Sequence, residues 1–345
     1  MKHPVWLAAL GLLAQAMTMT ASSSQAASVE DFYKGKQITL YIGSEAGAGY
    51  DIYGRSVARF IGKHIPGNPA VVPENMPGAG SLTLTNFMYA KAPRDGTAIA
   101  GIQNATALEP TLGDKNARFK ASDFTWLGSV NEQTNVCISW AASGVKTLGD
   151  VQKKEFLVGV VPSTSTDTVA NLLNDLTGTK LKLIRGYPST GAVLLAMERG
   201  EVGGLCGIGL DSVQSSMRDD LQAGKINIFA QIGPQKNPDI PNVSFVYDYL
   251  KDQSDKSLLD FLVGRMLMGR PFLAPPGLPP DRAEALRKAF WDTVHDPDFL
   301  ADAKKIDMPV LPDSGEKVQE IVRHLESASP EIISRGSKIL GINQN

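Results

Sequence analysis

The chain has 345 residues, 43% of them hydrophobic and 20% charged, which excludes a disordered or fibrous protein. Its 34 Lys and Arg against 36 Asp and Glu leave a net charge of -2, without the clustered basic excess that nucleic-acid binding demands. No segment after the N-terminus is apolar for long enough to cross a bilayer, and the length suits two ordinary domains.

The N-terminus sets the expected compartment. Lys2 and His3 precede an apolar run from Val5 to Ala14, and a polar stretch ends at Ser24-Gln-Ala-Ala27. A basic start, a short apolar core and a small-x-Ala boundary are the three parts of a secretory signal peptide. The apolar run covers about ten residues, half of the roughly 20 that a spanning helix needs. No Cys follows it, which speaks against a lipid anchor. Residues 1–27 are therefore expected to be removed on export to the periplasm. An uncleaved anchor or an amphipathic helix is the alternative.

Beyond that point short apolar strands alternate with helical patterns, the sign of an α/β architecture with mainly parallel sheets. Ile38–Ile42 reads as a strand and Asp51–Lys63 as a helix, with Ile52, Val57, Phe60 and Ile61 at helical spacing. A strand at 70–72, a helix at 82–90 and a strand at 98–102 follow, and 124–140 reads as extended. A second series then begins: helix 148–152, strand 156–161, helix 167–176, strand 181–184, helix 192–199 and strands 203–208 and 226–231. Residues 261–274 read as extended again, and helices are expected at 281–292, 296–304 and 315–327, with a further start at Pro330. Two extended crossings, near 131–140 and 262–270, form a double hinge in this reading. It predicts a first lobe of 28–136 plus 265–345 and a second of 137–264.

Two corners could hold a ligand. Gly43-Ser-Glu-Ala-Gly-Ala-Gly-Tyr-Asp51 is a Gly-rich turn between a strand and a helix, where backbone can approach an anion and the helix end supplies unpaired N–H groups. It lacks the third Gly of a dinucleotide fingerprint, and no Gly-Lys-Ser/Thr of a nucleotide loop exists. Pro162-Ser-Thr-Ser-Thr-Asp167 occupies the equivalent corner of the second series, with four hydroxyls that can cap the helix or donate to a carboxylate. A purely structural turn and a plain helix cap remain alternatives for both. Facing each other across a hinged cleft, the two helix ends would hold a negatively charged ligand.

Catalytic signals are thin. Of four histidines, His3 falls in the signal peptide, and His64, His295 and His324 stand in polar or helix-end contexts. No spacing resembles a metal site, no Gly-x-Ser-x-Gly elbow exists, and no cofactor is expected. Cys137 and Cys206 sit in strand-like apolar runs and permit one disulfide or two buried thiols. Arg270, on the second crossing, is a candidate counter-ion or a surface arginine.

Taken together, Ile38-Thr-Leu to Asp51, Val71-Val-Pro-Glu-Asn-Met-Pro-Gly-Ala-Gly80 and Ala92-Pro-Arg-Asp-Gly-Thr97 resemble, in order and spacing, the substrate-binding proteins of tripartite tricarboxylate transporters, the Bug family. The resemblance implies a two-lobed periplasmic binding protein of the type II kind, with two Rossmann-like lobes joined by two crossing strands. It implies a ligand site between the Gly-rich loop and its second-lobe counterpart. That implicates Ser44, Glu45, Ala46, Gly47, Ala48, Gly49, Tyr50 and Asp51, then Ser163, Thr164, Ser165 and Thr166. Asn104 after the third strand and Tyr187, similar to the Tyr of the family's Pro-Tyr-Lys-Gly stretch, complete the carried-over set.

The departures bear on the ligand. Gly43, Ser44 and Ala46 with acidic Glu45 stand where prolines and an aromatic are usual, Ala48 replaces a Gly, and Tyr50 a small hydroxyl residue. Gly207 occupies the place of a frequent Asp, with Asp211 downstream as the candidate instead. The expectation is a monomeric, non-enzymatic solute-binding protein that delivers a small carboxylate to a membrane permease. A ligand sensor docking on a membrane receptor, and an exported enzyme, are the alternatives.

Overall fold

A computed structural model describes residues 28–162 and 164–342. The expected signal peptide and Ser163 lie outside the described residues. The first stretch carries α1 (Val29–Tyr33), β1 (Gln37–Ile42), α2 (Gly49–Ile61), β2 (Ala70–Asn75), α3 (Leu82–Ala90), β3 (Ala98–Gly101) and β4 (Thr125–Ser129). The middle carries β5 (Asn135–Trp140), α4 (Leu148–Lys153), β6 (Phe156–Gly159), α5 (Ser165–Thr177), β7 (Leu181–Ile184), α6 (Thr190–Glu198), β8 (Gly204–Gly209), α7 (Leu210–Ser216), α8 (Arg218–Gln222), β9 (Ile226–Ile232) and α9 (Gln253–Gly264). The last stretch carries β10 (Pro271–Ala274), α10 (Pro280–Val294), α11 (Pro297–Lys305), β11 (Asp313–Ser314), α12 (Gly315–Glu326) and α13 (Pro330–Ile339).

The strands form two sheets, ordered β11-β4-β10-β3-β1-β2 and β7-β6-β8-β5-β9. Each contains a parallel trio, β2-β1-β3 in one and β7-β6-β8 in the other. Beside each trio lies an antiparallel strand, β10 in the first sheet and β5 in the second. These are the first strands entered after each crossing. A chain leaving one sheet at its carboxyl edge reaches the other at the same kind of edge, so its first strand there must run backwards. The carboxyl ends of both trios therefore face the crossings, and so do the helix N-termini that follow them. That edge is where open α/β sheets bind ligands.

Apolar packing fixes both halves. Val57 and Ile61 of α2, with Leu286 and Phe290 of α10, join Ile38, Leu40 and Ile42 of β1 in one buried cluster. On the other face, Leu84, Met88, Val318 and Val322 pack with Ala98, Ala100 and Trp126. That second cluster continues through Leu258 and Leu262 of α9 to Val158 and Phe229 of the second sheet, so the two halves share a core. The helix α13 lies against α9 and α5, with the Ser337 hydroxyl donating to Leu112 O.

The second crossing departs from the sequence reading. Residues 261–268, expected to be extended, complete α9 and a tight helical turn. Asp252 caps α9 by accepting from the Asp255 N–H, and Leu258, Leu259, Leu262 and Val263 are buried at helical spacing. A short apolar run does not by itself distinguish a strand from a buried helix. Here the polar cap several residues upstream decides it.

Cys137 of β5 and Cys206 of β8 face each other across the antiparallel pair, their Cα atoms 3.9 Å apart, and are joined by a disulfide. They are 69 residues apart, and cross-linking a loop of that length stabilises by about 4 kcal/mol in the chain-entropy view. Replacing both with Ala should lower the urea midpoint accordingly, and reductant should lower that of the parent protein. A parent midpoint indifferent to reductant would mean that the thiols are free.

Candidate ligand-binding site

The loop from β1 to α2 is shaped by Asp51. Its buried carboxylate accepts from the Gly47 N–H at 2.7 Å, from Asn75 Nδ2 at 2.8 Å and from Arg55 Nε at 2.9 Å. Burial raises its pKa, but these hydrogen bonds outweigh burial and hold the carboxyl below its ordinary value. Asn75 Nδ2 also reaches Ser44 O at 2.9 Å, which ties the end of β2 to the loop. Gly47 takes a φ of +81°, a conformation costly for residues with a Cβ. Ser44 is buried, and its hydroxyl has no hydrogen-bond partner among the described residues. Glu45, Ala46, Gly47 and Ala48 are exposed, and Gly49 and Tyr50 half-buried. The N-cap residue of α2 is Ala48, whose side chain accepts nothing, so the first-turn N–H groups stay open.

The corner before α5 is built differently. Thr164 Oγ1 donates to Val161 O at 2.8 Å and accepts from the Thr166 N–H at 3.2 Å. Thr166 Oγ1 accepts from the Val161 N–H at 2.8 Å. These two hydroxyls close their own turn, and among the described residues of the corner Ser165 Oγ meets the crossing, at Arg265. Gly207 of β8 runs against this corner: a Cβ there would lie 2.1 Å from Ser165 O, so no side chain fits where the resembled family often has an Asp. Tyr187 packs against the apolar cluster that includes Val193 and Met197. Asn104 is fully buried, donating to Gln133 Oε1 at 2.7 Å, while its N–H reaches the Tyr50 hydroxyl at 3.3 Å.

Two buried arginines occupy the junction. Arg270 Nη2 and Nε bond to Asp211 Oδ2 at 2.5 and 3.1 Å, joining the start of β10 to the start of α7. The guanidinium carbon lies 4.3 Å from the ring centre of Tyr50 and 4.9 Å from that of Tyr53. Burial pulls the Arg270 pKa down, but Asp211 together with Tyr50 and Tyr53 outweighs it and holds it above the ordinary arginine value. As a ligand counter-ion, then, Arg270 is already matched. The unmatched charge belongs to Arg265, which the sequence reading passed over. It is only 2% exposed, and among the described residues no carboxylate lies within ion-pair distance. Nε donates to Leu262 O at 3.0 Å, and Nη1 stands 3.5 Å from Asn104 Oδ1 and 3.4 Å from Ser165 Oγ. Burial lowers its pKa to about 10, so it is charged at neutral pH. The only sequence signal was an Arg inside an apolar run, Val263-Gly-Arg-Met-Leu-Met268.

The structure thus gathers Tyr50, Asn104, Ser165, Asp211 and Arg270 around one junction, with Arg265 among them. It leaves Glu45 and Ala46 at the exposed rim and Tyr187 packed in the apolar cluster of the second half. Among the described residues, no group of three or more His, Cys, Asp or Glu is placed to hold a metal ion.

Residues 55–336 match the family model described as the tripartite tricarboxylate transporter family receptor, TctC. The chain belongs to that family. Solved structures agree in fold. The periplasmic binding protein BugD is 18% identical over 90% of this chain and 99% of its own, with a TM-score of 0.69. A TctC solute-binding protein from Polaromonas is 18% identical over 90% and 99%, with a TM-score of 0.61. The malate-bound MatC from Rhodopseudomonas palustris is 18% identical over 89% and 99%, with a TM-score of 0.66. No curated protein matches the sequence.

For this TctC-family receptor the Arg270–Asp211 pair gives a stability prediction. Removing one partner of a buried pair leaves an uncompensated charge and costs about 3–5 kcal/mol. Asp211→Ala should lose that much in urea denaturation, whereas Arg270→Met combined with Asp211→Leu should recover most of it. An Asp211→Ala variant as stable as the parent would show that the pair does not hold the junction.

Proposed function

We propose that this protein is a periplasmic receptor that captures a small carboxylate between its two sheets and presents it to a membrane permease of the tripartite tricarboxylate type. The observation that carries the reading is the junction itself. The open N-terminus of α2, the start of α5 and a buried, unmatched Arg265 converge on Asn104 and Tyr50. Malate bound to MatC supports the ligand class by analogy.

The chemistry is that of capture. An uncapped helix end favours an anion by about 0.3–1 kcal/mol when exposed and up to ~2 when partly buried. Each hydrogen bond to a charged group adds roughly 1.5–3 kcal/mol. A few such contacts, less the ordering costs, suffice for micromolar affinity, about -8 kcal/mol. Exposed Glu45 repels a carboxylate placed against it, so the ligand sits away from that side chain.

Native mass spectrometry of the protein purified without refolding should show one retained organic acid per chain. Calorimetry with malate, succinate and adipate should then give saturable binding. Gly47→Val, which forces a β-branched residue into a positive φ, should weaken it at least tenfold, about 1.4 kcal/mol. Chemical conversion of the retained acid would point to an enzyme, and indifference to all three acids would refute the ligand class.

A further inference from the structure

A second feature lies beside the junction and shares no residue with the Ser44–Asp51 corner. A cavity of about 100 Å³ opens between Glu109, in the segment after β3, and Thr168 on α5, with Arg265 and Leu262 from the second crossing in its wall. Glu109 is 9% exposed, and its Oε2 is buried without a hydrogen-bond partner among the described residues. Arg265 brings a desolvated guanidinium whose contacts to Asn104 and Ser165 are long, at 3.5 and 3.4 Å. Leu108, Leu112 and Leu340 complete an apolar side.

The buried guanidinium of Arg265 faces the cavity short of acceptors, and Glu109 beside it has an oxygen without a partner, so a ligand that accepts from Arg265 and meets a protonated Glu109 satisfies both. We infer that this cavity is a binding site for a short-chain monocarboxylate, its carboxylate held by Arg265 and Glu109 and its alkyl chain laid against the leucines. Benzene, with six heavy atoms, fills an apolar cavity of ~150 Å³, so room here is for roughly four or five, the size of acetate or propionate. Glu109 can donate because burial, helped by Asp114 and opposed by Arg265, pushes its pKa up to about 8. Below that it is a neutral acid and gives a hydrogen bond to the carboxylate. Above it, ionised Glu109 repels the same ligand. The other charges around the cavity are Asp114 and Asp167, and Asp167 is paired with Arg185 at 2.9 Å.

The sign follows from that titration. A ligand that binds only the protonated form loses affinity as pH rises through the Glu109 pKa, so propionate should bind about tenfold more weakly at pH 9 than at pH 7. Isothermal calorimetry with propionate on the full mature protein tests this. Glu109→Gln, which fixes a neutral donor, should abolish the pH dependence and keep the pH 7 affinity at pH 9. Arg265→Gln should lose at least tenfold at both. Circular dichroism of each variant checks that it folds. An unchanged pH profile in Glu109→Gln, or propionate binding that survives Arg265→Gln, overturns the assignment. So does glycine bound in preference to propionate and tightening above pH 8, which would make ionised Glu109 a partner for ammonium. Arg265 belongs to the cleft reading as well, so the Glu109→Gln arm separates the two: a ligand held in the cleft alone would keep its affinity and its pH profile in that variant.

Discussion

The ion pair between Arg270 and Asp211 is the constraint on which the arrangement of the two halves rests. Arg270 directly precedes β10 of the first sheet, and Asp211 lies in the first turn of α7 behind β8 of the second. Both are almost fully buried, so each needs the other. A desolvated pair adds little net stability relative to apolar residues, but it tolerates few alternative geometries. The rings of Tyr50 and Tyr53 beside the guanidinium narrow them further and add cation–π attraction of up to about 2 kcal/mol at a desolvated site. The start of α2 is thereby held beside the start of α7: a Cβ on Gly49 would lie 2.7 Å from Ser212 Oγ.

Against this matched pair stands an unmatched cation. Arg265 lies five residues earlier on the same crossing, buried to the same degree, with neutral oxygens as its near contacts. A protein of net charge -2 thus presents a positive interior at its junction. A cation buried at low dielectric concentrates the field at this junction, whatever the net charge of the whole chain.

The two corners that face each other are not equivalent. The turn before α5 satisfies itself through Thr164 and Thr166, which makes it a preformed wall. The turn before α2 spends its acid, Asp51, on fixing Gly47 and Asn75 and leaves the helix end uncapped. The continuous apolar core through α9 keeps the two corners in register from behind.

The alternation of short apolar strands and amphipathic helices was enough to assign an α/β chain, most elements and the two corners, because those depend on local periodicity and turn chemistry. Ile38–Asp51, Val71–Gly80 and Ala92–Thr97 together also carried the family resemblance that the family match supports. Sequence alone misread 261–268, since apolar content does not separate a buried helix from a strand. It also offered Arg270 as a counter-ion or a surface arginine and overlooked Arg265. Both arginines sit on one apolar crossing, and nothing local says which will meet an acid. That is settled by Asp211, 59 positions away from Arg270, and by the chain crossing that brings β8 to β10. Which charges are matched is a property of long-range packing, and only the tertiary structure decides it.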